Sequence, residues 1–148
     1  EATAGVDPVS RRDFWELIYR LAGEGISVLA TTHYMEEADY CNIVAMMYQG
    51  RLVKLAEPDQ IKDELPGVLL QVDCDQPVLA QEVLSRLDVV TNQTVFGVQL
   101  HTTVRHAEDE AAVRAALEAA GITINSIEII SPSLEDAFTA MVMAERQG

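Results

Sequence analysis

Between Val68 and Ile130 the chain switches its hydrophobic period through six consecutive segments. VLLQVDC (68–74) is rich in β-formers. PVLAQEVLSRL (77–87) has helical spacing. DVVTNQTVF (88–96) and GVQLHTTV (97–104) are β-rich runs meeting at Gly97. AEDEAAVRAALEAAG (107–121) is again helical, and ITINSIEII (122–130) closes the series as a β-rich run. Side chains alternate faces every two residues in a strand and return every 3.6 in a helix, so each switch of period marks a change of element. Two adjacent β-runs joined by a glycine turn form a hairpin, and a helix between two strands makes a crossover. One sheet with its helices on one face satisfies all of these connections.

The order β-α-β-β-α-β is that of the ferredoxin-like split βαβ unit. Its second sheet face is expected to be free to dock on a neighbour, with its apolar residues serving as core. A closing helix, LEDAFTAMVMAERQ (134–147), follows Ser131-Pro132-Ser133. A serine with a Glu-Asp pair behind it is a helix start, and Phe138, Met141 and Val142 form the apolar stripe.

The first part reads differently. Asp7 suits an N-cap and Pro8 a first-turn position. Phe14, Leu17, Ile18 and Leu21 follow at helical spacing, and Gly23 or Gly25 ends the helix. ISVLATT (26–32) is a continuous apolar run, the pattern of a strand buried on both faces. YMEEADYC gives one or two helical turns, and NIVAMMY and RLVKLAE form a hairpin through Gln49-Gly50. PDQIKDEL is a short helix that Pro66-Gly67 breaks. Residues 1–64 hold 6 Lys+Arg and 12 Asp+Glu, while residues 65–148 hold 4 and 12, with no lysine. The Pro-Gly break and this shift place a domain boundary at Leu65–Gly67. The opening EATAGVDP, with no initiator Met, reads as a loop entered from a preceding segment, as in a piece of a longer protein.

The net charge of −14 argues against nucleic acid or an anionic membrane as a direct partner, since both require Lys and Arg. No apolar run approaches the roughly twenty residues that a membrane helix needs. Cys41 and Cys74 lie far apart with no CxxC pairing and read as reduced thiols of a cytoplasmic protein. His33, Glu36, Glu37 and Cys41 do not have metal-ligand spacing, because His33 falls at a strand end and no second histidine lies near it. No metal site is expected. No GxSxG-type nucleophile motif occurs. His101 and His106 read as surface or half-buried residues.

Two stretches taken together are far more specific than either alone. E-A-T-A-G-V-D-P opens the chain, and after a helix and an apolar run comes T-T-H-Y-M-E-E-A-D. This order and interval resemble the C-terminal part of the ATP-binding subunit of ABC transporters. There a strand ends in Asp-Glu before Pro-Thr-Ala/Ser-Gly-Leu/Val-Asp-Pro, and a later strand ends in Thr-His. P-S-L-E-D-A-F (132–138) resembles the segment closing a small extra domain in the drug-resistance and ABC-2 exporters. The resemblance implies an α/β fragment of a P-loop NTPase domain over residues 1–64, followed by an α+β accessory domain over residues 65–148. It implies that Glu1 polarises the attacking water, with Ala2 standing where the family usually has proline. Ala4, Gly5, Val6 and Asp7 match the loop whose aspartate reaches across the subunit interface. His33 matches the switch histidine that contacts the terminal phosphate.

The same resemblance implies ATP and Mg²⁺ as cofactors of the longer protein, a second ATP-binding subunit as a homodimer partner, and a membrane permease subunit. It implies a cytoplasmic position, peripheral to the inner membrane through the permease. The chain has no GxxxxGK[ST] loop and no Leu-Ser-Gly-Gly signature. It is therefore expected to be inactive by itself and to bind neither ATP nor Mg²⁺. Two other readings stand beside the exporter: a non-enzymatic regulatory or dimerisation module, and an ABC-type ATPase acting on ribosomes.

Overall fold

The structure, a computed structural model, describes residues 3–147. Helix α1 (Pro8–Gly23) leads through residues 24–34 to the short α2 (Met35–Ala38). Strands β1 (Val44–Tyr48) and β2 (Arg51–Ala56) precede α3 (Pro58–Asp63). Then come β3 (Val68–Cys74), α4 (Pro77–Leu84), β4 (Val90–Phe96), β5 (Gln99–Val104), α5 (Glu110–Ala119), β6 (Ile124–Ile129) and α6 (Leu134–Gln147). The described chain is thus mixed α/β with two sheets. Among the described residues no helix is long and apolar enough to cross a membrane.

β1 and β2 pair antiparallel across Gln49-Gly50, whose φ values of 48° and 77° are both positive. Two consecutive positive φ angles give the turn whose twist matches an antiparallel hairpin, and glycine is the cheap residue for the second. The larger sheet runs β4-β5-β3-β6 with every neighbouring pair antiparallel. Leu70, Val72 and Cys74 of β3 and Leu100 and Val104 of β5 point to one face. Ala80 and Leu84 of α4, and Val113 and Leu117 of α5, close over them as one buried cluster.

The turn at Leu65–Gly67 delivers the chain into β3. Gly67 has φ +96°, and a Cβ there would lie 2.2 Å from the Val104 carbonyl oxygen. Both the backbone angle and the contact demand glycine. The break read from Pro66-Gly67 is therefore also a point where two backbones nearly touch.

A second buried cluster gathers Ala38, Val44, Met46, Ile61, Leu134 and Ala137, with Phe138 and Met141 packed against it. Helix α6 therefore seals its apolar stripe against α2, the hairpin and α3. Its N-terminus is closed by a capping box. The Ser133 N–H donates to Asp136 Oδ2 at 2.9 Å, and the Asp136 N–H donates to Ser133 Oγ at 3.1 Å. On its other side α6 meets the four-stranded sheet, where Ala140 and Met143 border a small cleft with Leu65, Pro66, Asn92 and Thr103. The face expected to be free is thus partly occupied by the chain's own last helix. That face carries Gln71, His101 and Thr103, which alternate with the core-facing residues.

One expected element does not form. Residues 26–32 make no β-ladder, and Ile26, Val28 and Leu29 are exposed, Leu29 by 94%. The run has strand composition, but no described segment pairs with it as a ladder, and the Ile26 N–H donates back to the Leu21 carbonyl at 3.1 Å. The apolar stripe of α1 is likewise only partly covered, with Phe14, Ile18 and Leu21 half-buried. Leu17 is exposed, and Trp15 is the buried residue of that helix. With no sheet beneath it, α1 is held by Trp15 against Tyr40, ring centroids 5.6 Å apart.

Candidate functional site

The site read from the sequence consists of two loops at one end of α1. Glu1 lies outside the described residues. Thr3 to Val6 form a tight turn in which the Val6 N–H donates to the Thr3 carbonyl at 3.2 Å, and Gly5 takes φ +72°. Ala4 and Gly5 are exposed and Val6 is half-buried.

Asp7 is exposed and caps α1. Its Oδ1 accepts from the Val9 and Ser10 N–H groups at 3.0 and 3.1 Å, and its Oδ2 accepts from Ser10 Oγ at 2.6 Å. The Ser10 hydroxyl, then the Ser10 amide, hold this carboxyl below the ordinary carboxylate value. The carboxylate thus stays ionised and anchored to the helix it starts.

The second loop runs from Thr32 to Tyr34. Thr32 Oγ1 accepts from the Tyr34 N–H at 3.0 Å. His33 is exposed, and its ring lies 4.2 Å from that of Tyr34. The imidazole therefore stands at the surface, beside an aromatic plane that limits its rotation.

Between the loops lies a group that periodicity did not reveal. Glu37 of α2 is only 2% exposed. Its Oε2 accepts from the Thr3 hydroxyl at 3.0 Å, and its Oε1 lies 3.4 Å from Arg11 Nε. The Trp15 N–H faces the same carboxylate, but neither it nor Arg11 Nε makes a hydrogen bond of ordinary geometry, so the Arg11 side is a charge contact. Burial works against ionisation of Glu37. Thr32, Thr3, Trp15 and the Arg11 charge together outweigh it and hold the carboxyl below its ordinary range. The Arg11 guanidinium also sits 4.3 Å over the Tyr34 ring, and its Nη2 donates to the Val6 carbonyl at 3.5 Å. Neighbouring residues on a helix point to different sides, so of the pair Glu36-Glu37 one faces inward. Nothing in the sequence alone says which.

The two loops are thus brought together, while the other histidines lie elsewhere. His101 Nδ1 is 2.8 Å from Asp136 Oδ1, which ties the four-stranded sheet to the start of α6. The side chain of His106 is exposed, and its backbone N–H donates to Asp109 Oδ2. Both cysteines are free. Burial, then the neighbouring Glu37 charge, pushes the Cys41 thiol up, and burial is the main cause of the same shift at Cys74. Among the described residues no group of His, Cys, Asp and Glu is placed to hold a metal ion.

The chain is a homologue, over part of their length, of the ABC transporter ATP-binding proteins of the drug-resistance type. Similarity to these ATP-binding proteins implies a P-loop NTPase fold. The probable multidrug ABC transporter ATP-binding protein YbhF of Escherichia coli (strain K12) is 44% identical over 76 residues, 48% of this chain and 13% of that protein. The daunorubicin resistance ATP-binding protein DrrA3 of Streptomyces coeruleorubidus is 29% identical over 150 residues, 99% of this chain and 48% of that protein. The linearmycin resistance ATP-binding protein LnrL of Bacillus subtilis (strain 168) is 31% identical over 144 residues, 93% of this chain and 46% of that protein. The chain spans about half or less of the length of these relatives. No family model matches it.

Proposed function

We propose that this chain is the C-terminal part of an exporter ATP-binding subunit, in which the loops 4–7 and 32–34 form the back of an ATP-hydrolysing site. The observation that carries the reading is the joining of the two motif loops through Glu37 and Arg11 in a homologue of ATP-binding proteins.

The residues present fit one edge of a nucleotide site. In this reading the exposed His33 would meet a phosphate oxygen, and the exposed turn before Asp7 would meet a second subunit. MgATP, bound mainly by groups that this chain does not carry, would supply the scissile phosphoanhydride. His33 would stabilise charge at the terminal phosphate, and Glu1 would orient water. Asp7, ionised and fixed on α1, would keep the turn 4–6 in shape for contact across a homodimer. The chain alone, lacking a phosphate-cradling loop, would not turn over ATP. The longer protein would act in the cytoplasm beside a membrane permease and drive export of a substrate recognised there.

Residues 65–148 in this reading are an accessory ferredoxin-like module, its sheet formed by residues 68–129. The strand order β4-β5-β3-β6, antiparallel throughout with α4 and α5 on one face, supports it. The boundary at 64/65 is retained as the start of that module. Helix α6 belongs by packing to the first unit as much as to the second.

The test is ATP turnover by the whole subunit with and without His33→Ala. We expect kcat to fall by about a hundredfold, with the KM for ATP changed far less, because the contact strengthens in the transition state. Unchanged turnover with weaker nucleotide binding would show that His33 only binds.

A further inference from the structure

We propose that Glu37 is a positioning residue that locks the Asp7 turn to the His33 loop, so that a displacement of one is passed to the other. This rests on the reading of those loops as parts of one ATP-hydrolysing site.

The contacts close a circuit. Thr3 donates to the Glu37 carboxylate at 3.0 Å, and the Glu37 N–H donates to the Tyr34 carbonyl at 3.0 Å. Arg11 covers the Tyr34 ring at 4.3 Å and reaches the Val6 carbonyl at 3.5 Å. Val6 returns to Thr3 through its own N–H at 3.2 Å. Thr3, Val6 and Tyr34 are in, or next to, the two loops, while Arg11 lies one turn into α1 and Glu37 within α2. The centre of the circuit, Glu37, is buried, whereas Asp7 and His33 are exposed. It would act through others and not on substrate.

A requirement for stability alone explains this arrangement poorly. A buried carboxylate paired with a guanidinium is a weak source of stability, and well-packed apolar groups often replace such pairs at no loss. What the pair does provide is direction. A carboxylate bonded on one oxygen and charge-paired on the other fixes the angle between the segments carrying its partners. The α2 helix is four residues long and begins directly after Tyr34, so it has no length over which to absorb a shift. A movement of the turn 4–6 pulls on Thr3 and Arg11, hence on Glu37, hence on the backbone of Tyr34 beside His33. The exposed turn in this way becomes a lever on the histidine.

Amide hydrogen exchange on the full chain tests the lock. With Glu37→Gln, which keeps the shape and removes the charge, exchange at Val6 and at Tyr34 should accelerate together by about threefold or more. Exchange at Leu70 and Val72 should not change. Thr3→Val removes one hydrogen bond of the circuit with little change in volume, and should speed both loops to a smaller degree. It decides the matter if the Glu37 variant does not fold. Acceleration at one loop only, or equal acceleration along the whole of α1, would overturn the proposal. In the whole subunit, Glu37→Gln should lower kcat by about tenfold with KM held within about twofold, as misplacement of a reacting group does. If instead His33→Ala leaves turnover intact while the two loops still loosen together, the ATPase reading fails and the lock stands.

Discussion

Residues 26–32 and residues 68–74 are close to interchangeable as text, ISVLATT against VLLQVDC, yet they have opposite structures. The second is hydrogen-bonded on both sides, to β5 and to β6, and Leu70 and Val72 have no exposure. The first belongs to no ladder, and Leu29 is exposed by 94%. Composition sets which segments are suited to be strands. Whether they are strands depends on what lies beside them, because a ladder is a property of two segments. The same contrast holds for helices. α5 buries Val113 and Leu117 under a sheet, while α1, with an equally plain stripe, buries Trp15.

The contrast is most sharply tested by making one change in both regions. Leu70→Ala should cost about 3 kcal/mol, from lost burial and the cavity left behind. Leu29→Ala should stay within about 0.5 kcal/mol. Urea titration of both variants checks this, and equal losses would mean that residues 26–32 are packed in solution. A middle-sized effect belongs to α6. Ser133→Ala removes the cap of α6 and should cost about 1 kcal/mol. Amide exchange should then rise at Leu134 to Met141 and not at residues 26–30, which already lack ladder partners.

The smallest expected effect depends on pH. Burial, then the charges of Glu36 and Asp136, raises the Glu135 carboxyl above its ordinary value of 4.5. A raised value in the folded state gives stability that is complete below about 4.5 and lost as pH rises through the raised value. At neutral pH the charged Glu135 therefore weakens the fold. Glu135→Gln should raise Tm at pH 7 and leave it unchanged near pH 3, measured by thermal melts in the same buffer strength. A gain that grows toward acid pH would reverse the sign and remove the acidic cluster as its cause.

What could be read in advance were features carried by neighbours in sequence. Gln49-Gly50 announces its hairpin, Asp7 and Pro8 announce α1, and Ser133 with Asp136 announces α6, each through bonds spanning a few residues. The β-α-β-β-α-β order was legible for the same reason. The sequence did not reveal that α6 packs against Ala38, Val44 and Ile61, because a stripe of apolar residues does not name its partner. It did not reveal that 26–32 would stand unpaired. At the candidate site, the turn 4–7 and His33 were legible as motifs. The buried Glu37 was not, since Glu36 and Glu37 differ only in which way a four-residue helix turns them.

The closing of the second cluster by α6 has a consequence in time. A ribosome emits Ile61 long before Leu134 and Ala137, yet all three share one buried cluster. The sheet of residues 68–129 can assemble as soon as β6 has emerged, since its core draws on nothing later in the chain. The older segments, α2, the hairpin and α3, must wait with apolar side chains uncovered until the last helix arrives. Among residues 35–147 assembly therefore runs out of sequence order, the sheet of 68–129 before the segments that precede it. The interval in which chaperones have most to protect runs from the emergence of α3 to that of α6.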